Sequence, residues 1–452
     1  SFQYPSSPFD RSWFLDSSCY RELNASPFFR HGCERISRVR PSSLPTYTLT
    51  AREHLLAPLP DSILTLILPV IAYWGMSMIY HFLDVNDYFV EYRLHTPAEV
   101  LKRNKVTRWE VVRDVVLQQV IQTLAGFAFI YFDAEETVGR EKYDVAVWAQ
   151  RLRITQKAVP SLLALVGVDA ISLGKSMSQS GYTMLAGVLA GGSYPGVTQS
   201  IVLDNGAEAV APAFTNWELA VAGFIYWYFV PTLQFLLAIS IVDTWQYFLH
   251  RAMHLNRWLY VTFHSRHHRL YVPYAFGALY NHPVEGFLLD TAGTGIGFLV
   301  SGMTTRQAMW FFTMSTIKTV DDHCGYAFPW DPLQHFTSNN AAYHDIHHQS
   351  WGIKTNFSQP FFIFWDRLLG TQWTGEVKLR YERARENAQK QVDLDAAQAP
   401  DTTPTVTVTE EREPERVVVS PEGPAARTRL RRKTVDSLKG PSHGVPGSVL
   451  HN

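Results

Sequence analysis

The 452-residue chain carries 40 Lys and Arg against 41 Asp and Glu, a net charge of −1, which removes any global electrostatic reason to bind nucleic acid. Apolar residues at 46% exclude a wholly disordered chain, and three scattered cysteines (Cys19, Cys33, Cys324) exclude a disulfide scaffold or a cysteine-built zinc site. The mean hydropathy of −0.09 averages two regimes, because every Phe, Tyr and Trp lies at or before Tyr381.

In chain order, residues 1–60 form an N-terminal segment with seven Arg and no long apolar run, so no cleavable signal peptide is expected. Asn24 in Asn-Ala-Ser is a glycosylation acceptor if this segment is lumenal, weakened by Pro27. The region 61–133 holds the first transmembrane helices. Ser62 to Leu83 contains no acid or base other than His81 and is long enough to span about 30 Å of hydrocarbon. Val115 to Phe132 is shorter, with three Gln, and reads as tilted or partly buried. The loop 84–114 carries six Lys and Arg, which favours the cytosol. Residues 134–216 read as an amphipathic insertion at the membrane surface.

Leu219 to Val242 is again uncharged and opens the region 217–375 that bears the chemistry. Phe287 to Met303 and Ala308 to Ile317 are moderately apolar and read as a hairpin beside the other helices. Residues 382–452 are rich in charge, Pro, Thr and Ala, cannot bury a core, and read as a disordered tail. The basic cluster 427–433 is either a solvated charge run, an attractor for an anionic membrane face, or a guide for phosphorylation of Thr434 or Ser437. The fold class expected is an all-α integral membrane protein whose helices carry a histidine-rich di-metal domain at the cytosolic face.

Eleven of the 17 histidines fall between His250 and His348. His250 and His254 are spaced i, i+4 on the continuation of an apolar helix, so both imidazoles reach one metal. His264, His267 and His268 form one HxxHH, and His344, His347 and His348 a second. Each spacing puts three imidazoles on one side of a helical turn, and the eight together exceed what one metal uses. Arg251 stands where the general-base Glu of a zinc peptidase would, and a structural zinc site closes with four ligands. His323 and His282 flank the hairpin and are further candidate ligands, with capping or support of another ligand as the alternative. Asp243, two turns before His250, and Asp322 and Asp345 are expected as acceptors for the second ring nitrogen of a ligand. His335, in a Pro-flanked loop, is expected at the surface. Trp245, Tyr247, Tyr271, Tyr274 and Phe276 either line a substrate slot or pack as ordinary interfacial aromatics.

The order HxxxH, HxxHH, a lone His in DHxGY, then HxxHH resembles the fatty acid hydroxylase superfamily over roughly residues 215–375. The runs DTWQYFLHRAMH, FHSRHHRLYVPYAFGALYNHP and EGFLLDTAGTGIG look like the fungal sphinganine C4-hydroxylases within it. That resemblance implies a pair of iron ions, O2 as co-substrate, and electrons from NAD(P)H through cytochrome b5 and its reductase. It implies hydroxylation at C4 of a sphinganine base or its ceramide in the endoplasmic reticulum membrane, among membrane lipids. Desaturation or sterol C4-methyl oxidation by the same cluster is the rival chemistry. A histidine-rich membrane metal carrier is the non-enzymatic rival.

Overall fold

The computed structural model describes residues 44–132, 135–202 and 208–398. The expectations for Asn24, for 427–433, and for Thr434 and Ser437 lie outside the described residues. The described chain divides into two compact units, 51–136 with 230–398, and 44–50 with 137–229.

The first unit opens with α1 (Asp61–Val85), α2 (Pro97–Arg103) and α3 (Arg108–Phe132). At 1.5 Å per residue, 25 residues reach about 37 Å, enough to cross the hydrocarbon layer. The Asp61 carboxylate accepts from Leu55 N at 2.8 Å and Arg306 Nε at 2.7 Å, which fixes where α1 begins. Thr96 and Glu99 close a capping box on α2, with Pro97 at its first turn. Helix α3 begins at Arg108 rather than Val115, because Thr107 and Glu110 cap it and the polar first turn continues the apolar run.

The insertion forms the second unit: α4 (Glu141–Gln156), α5 (Val159–Leu165), α6 (Ala170–Gln179), α7 (Thr183–Leu189), the antiparallel strands β1 (Thr198–Val202) and β2 (Glu208–Pro212), and α8 (Asn216–Phe224). It therefore carries a β-hairpin where an amphipathic insertion in an all-α protein was expected. Its buried polar centre is Glu218, whose Oε1 accepts from Arg153 Nε at 2.9 Å and Gln156 Nε2 at 3.0 Å. The same carboxylate accepts from Thr215 N at 2.8 Å to cap α8.

The first unit resumes with α9 (Val230–Leu255), α10 (Pro283–Gly286), α11 (Gly293–Ser301), α12 (Thr305–Asp322), α13 (Ala341–His348) and α14 (Lys378–Gln398). Gly302 at φ +63° makes the tight turn between α11 and α12. The two arms then part: α11 packs along α9, and α12 along α1. The aromatic core beside the site gathers Tyr73 and Tyr80 of α1, Val111 and Val115 of α3, Phe276, Tyr280, Val320 and Tyr326. Asp61–Val85, Arg108–Phe132 and the run Asn216–Leu255 are long and apolar enough to cross a membrane. A bent pair, Glu141–Leu165 with Ala170–Gln179, qualifies only if taken as one broken span.

Residues 382–398 belong to α14, not to an unstructured tail. The helix is held by packing that composition does not reveal. Tyr381 OH donates to Asp345, Lys102 pairs with Asp395, Arg385 lies 3.9 Å from Glu99, and Ala388 is buried.

Replacing Arg153 with Ala leaves the buried Glu218 carboxylate without its guanidinium, which destabilises by about 3–5 kcal/mol. We expect Arg153→Ala to lower the thermal unfolding midpoint of the detergent-solubilised protein clearly, and Arg153→Lys to recover part of the loss. An unchanged midpoint refutes a stabilising role for the pair.

Candidate metal centre

Helix α9 presents Asp243, His250 and His254 on its buried face, at spacings of seven and four residues. The second histidine motif is not one regular helical turn. The chain passes through a π turn at Tyr260–His264 and a tight turn at His267–Arg269. The third motif lies on α13, whose first turn is capped by Asn340 accepting from Tyr343 N at 2.9 Å.

Nine imidazoles sort into two groups. His250, His254, His264, His268 and His347 form one; His267, His323, His344 and His348 form the other. Within each, one ring nitrogen per residue lies within 4.8 Å of all the others. The sorting departs from motif order. The first and last histidines of each HxxHH join one group, and the middle one crosses to the other. On a 3.6-residue helix, positions i+3 and i+4 point about 100° apart, so adjacent histidines cannot serve one point. The two groups are therefore interlocked through His267 and His347.

The tautomers follow from the acceptors. Nδ1 donates to a backbone carbonyl in His250 (Phe357 O, 2.8 Å), His267 (Tyr280 O, 3.2 Å), His323 (Thr319 O, 2.8 Å), His347 (Thr355 O, 2.7 Å) and His348 (Leu270 O, 2.8 Å). A neutral imidazole has one N–H, so each of these residues offers a bare Nε2. Burial holds His264 and His323 at about 3 and His267 at about 4, and drives His268, His344, His347 and His348 well down. The rings are thus neutral at pH 7, as ligands must be.

The second group holds three bare nitrogens against at most one N–H, that of His344. Buried lone pairs so arranged repel one another unless a cation lies among them. His347 Nε2 is buried without any hydrogen-bond partner, which makes the same case for the first group. Neighbouring Nε2 atoms stand 2.7–3.2 Å apart. With metal–nitrogen bonds of about 2.1 Å, ligands at right angles lie about 3.0 Å apart and tetrahedral ones about 3.4 Å. The spacing is short enough for the rings of each group to share one ion. All-imidazole ligation suits zinc, copper, iron and nickel.

Other expected residues lie elsewhere. His282 belongs to neither group. Its Nδ1 accepts from Val284 N at 3.2 Å and caps α10, so the ring is spent on the helix start. Asp243 accepts from Phe361 N (3.1 Å) and Phe362 N (2.9 Å), not from a histidine. Asp322 pairs with Lys318 and accepts from Asn339 Nδ2 at 3.1 Å. Asp345 does accept from a histidine, His95 at 2.8 Å, but His95 is in neither group. Burial works against a charge on His95, yet Asp345 and Glu99 together raise it to about 9. His335 is exposed, as its loop suggested.

Two carboxylates escaped the sequence reading. Glu285 accepts at His264 Nδ1 and is fully buried, and burial pushes its carboxyl up to about 7. Its signal was its place three residues after His282, at the end of a capping box. Asp366 accepts from Phe357 N (3.0 Å), Ser358 N (2.8 Å) and Tyr343 OH (2.9 Å). With Asp243 it ties down the loop whose carbonyls, Thr355 O and Phe357 O, orient His347 and His250.

An apolar cavity of about 170 Å³ is walled by α1, α3, α9, α11 and α12, with Leu66, Val70, Tyr73, Phe129 and Phe312 among its lining. A smaller cavity of about 30 Å³ touches His264, His267, His323 and His344. Gln246, Asp290, Thr319 and Pro360 line both. The aromatic residues expected in the slot are not in its wall. Trp245 Nε1 donates to Leu288 O at 2.8 Å, Tyr247 stacks on Trp365, and Phe276 belongs to the core.

These features define a class: a membrane protein whose helices enclose an apolar cavity ending at two interlocked imidazole groups with the geometry of metal sites. Residues 235–371 match the fatty acid hydroxylase family, and the chain belongs to that family. It is 40% identical to the sphingolipid C4-hydroxylase of Saccharomyces cerevisiae, over 75% of this chain and 80% of that protein. It is 40% identical to the sphingolipid C4-hydroxylase of Schizosaccharomyces pombe, over 72% and 94%. It is 63% identical to sphinganine C4-monooxygenase 2 of Arabidopsis thaliana, over 30% and 53%. No solved structure matches the chain.

We expect His347→Ala to lower bound metal by about one equivalent per chain, measured by elemental analysis of the purified protein, and His282→Ala to leave it unchanged. Loss of metal in His282→Ala contradicts its placement as a cap. Removing the carboxylate that orients a ligand weakens metal affinity about 10–100-fold. Glu285→Ala is expected to do so in a chelator competition.

Proposed function

We propose that this chain hydroxylates C4 of sphinganine or dihydroceramide in an O2-dependent reaction that yields phytosphingosine-type lipids. The observation that carries the reading is the convergence of bare, buried imidazole nitrogens beside an apolar cavity that continues from the candidate membrane spans. The names of the yeast and plant relatives supply the lipid and the carbon atom.

His250, His254, His264, His268 and His347 would hold one iron ion, and His267, His323, His344 and His348 the other. His282, Asp243 and Asp322 are left out of the ligand set. Bound there, the ion pair supplies the redox chemistry that lets O2 oxidise an unactivated C–H bond. Overall, one C–H bond, O2, two electrons and two protons give C–OH and water. The protein's own part is positional. The carbonyls of Phe357, Tyr280, Thr319, Thr355 and Leu270 and the Glu285 carboxylate hold the ligands. Asp366 and Asp243 hold the loop that bears two of those carbonyls. The apolar wall excludes water and aligns the alkyl chain with the site.

Electrons come, in this reading, from NAD(P)H through cytochrome b5 and its reductase. The protein resides in the endoplasmic reticulum membrane with the histidine groups at the cytosolic face, which the six Lys and Arg of loop 84–114 support. The catalytic part is 217–375, joined by the cavity walls from 61–133. The insertion 134–216 and the segments 1–60 and 399–452 lie outside it.

Membranes containing the chain, given sphinganine, NADH and O2, should yield a trihydroxy base heavier by one oxygen, detected by mass spectrometry and carrying label from 18O2. His267→Ala should lower the yield more than about 100-fold, since it removes a ligand that links the two groups. A double bond or a sterol product alone overturns the reading.

A further inference from the structure

At the seam between the two cavities stands one carboxylate that nothing described so far employs. Asp290 lines both the apolar cavity and the metal-side cavity. Its one hydrogen bond from another side chain is from Asn281 Nδ2, at a long 3.4 Å, and among the described residues no cation pairs with it. The other acids near the histidines are engaged: Glu285 with His264, Asp322 with Lys318, and Asp243 with two backbone amides. An ionisable group in an apolar helical setting is unfavourable without a partner, and its presence points to a ligand that brings one.

Around it lie polar side chains that the fold leaves unsatisfied. The hydroxyls of Thr291 and Ser315 are buried without a hydrogen-bond partner, and both line the cavity. Gln246 and Thr319 complete the patch at the seam. The remaining wall mixes the hydrocarbon of Leu66, Pro69, Val70, Phe129 and Phe312 with Thr65, Thr123, Thr294, Thr316, Gln119 and Gln122, and carries no other charge. A ligand matched to this cavity has a long apolar chain, a cationic group near one end, and hydroxyls beside the cation. A neutral sterol offers the first feature without the second.

We propose that Asp290 binds the ammonium group of a free sphingoid base, and that this ion pair sets the register of the chain against the metal site. The inference rests on the C4-hydroxylase reading and adds to it the form of substrate the site prefers. The ammonium sits on C2, so anchoring it at the seam keeps C4, two carbons further along, beside the seam shared with the cavity that His264, His267, His323 and His344 line. The C1 and C3 hydroxyls then meet the unpartnered hydroxyls of Thr291 and Ser315. A ceramide, whose nitrogen is a neutral amide, loses the charge and gains an acyl group at this point.

The test is equilibrium binding to the metal-loaded protein in lipid nanodiscs, with sphinganine and N-acetylsphinganine as paired ligands. A charge-assisted hydrogen bond is worth about 10–100-fold in affinity. Wild-type protein should bind sphinganine tighter than N-acetylsphinganine by about that factor. Asp290→Asn should weaken sphinganine by a similar factor and move N-acetylsphinganine less than about threefold. Equal weakening of both ligands means a structural role and overturns the proposal, as does unchanged sphinganine binding. If the variant fails to fold, equal wild-type affinity for the two ligands still overturns it, and a strong wild-type preference supports it. Binding is read apart from turnover. A preference for sphinganine that depends on Asp290, with no 4-hydroxylated product, would sink the C4-hydroxylase reading and leave the ammonium site standing.

Discussion

Everything else in this structure is arranged around one unfavourable act, the burial of nine neutral imidazoles with their lone pairs facing inward. Six of the nine rings are committed by what they donate to. Once Nδ1 of His250, His267, His323, His347 and His348 gives its proton to a carbonyl, Nε2 has nothing left to offer but a lone pair. Apolar packing cannot satisfy such atoms, and neighbouring bare nitrogens cannot satisfy each other. A metal ion can do so for several of them at once. The carbonyl acceptors are therefore as much part of the site as the rings, and so are the carboxylates that keep those carbonyls in place.

That hierarchy explains which features were legible in the sequence and which were not. Histidine spacing is a local property, so the eight motif residues and His323 could be read directly. The allocation of those rings could not be. The sequence suggests three imidazoles per face, whereas the geometry splits each HxxHH between two groups: on α13 adjacent residues diverge by about 100°, and between His264 and His268 the chain passes from a π turn to a tight turn. Roles that depend on distant backbone were equally hidden. Asp243 was expected behind His250, yet it grips the amides of Phe361 and Phe362, more than a hundred residues away in sequence. Glu285 and Asp366 belong to no histidine motif, and only the fold brings them to the ligand shell. His282 had the right residue type and the right membrane level, but the proline after it starts a helix and the ring caps that helix.

The membrane spans were legible for the same local reason, and the limits of that reading are also physical. Composition alone could not separate α14 from the tail beyond it, because the helix is held by Tyr381, Arg385 and Ala388 meeting partners on α2 and α13. Nor could an alternation of small and polar residues in the insertion announce a helical unit organised on one buried Glu218. In both places tertiary contacts decide a structure that local propensity leaves open.

The opposition between lipid-like surroundings and buried charge then accounts for the shape of the reactive region. Leu66 and Val70 of α1, Phe129 of α3 and Phe312 of α12 give the cavity its apolar surface, which suits an alkyl chain and keeps water away. At the seam stands Asp290, on the π turn Phe287–Ala292 that widens the helix there. A straight α-helical continuation would rotate those side chains relative to α11. The turn that opens the ladder is also the one that places the Asp290 carboxylate between the two cavities.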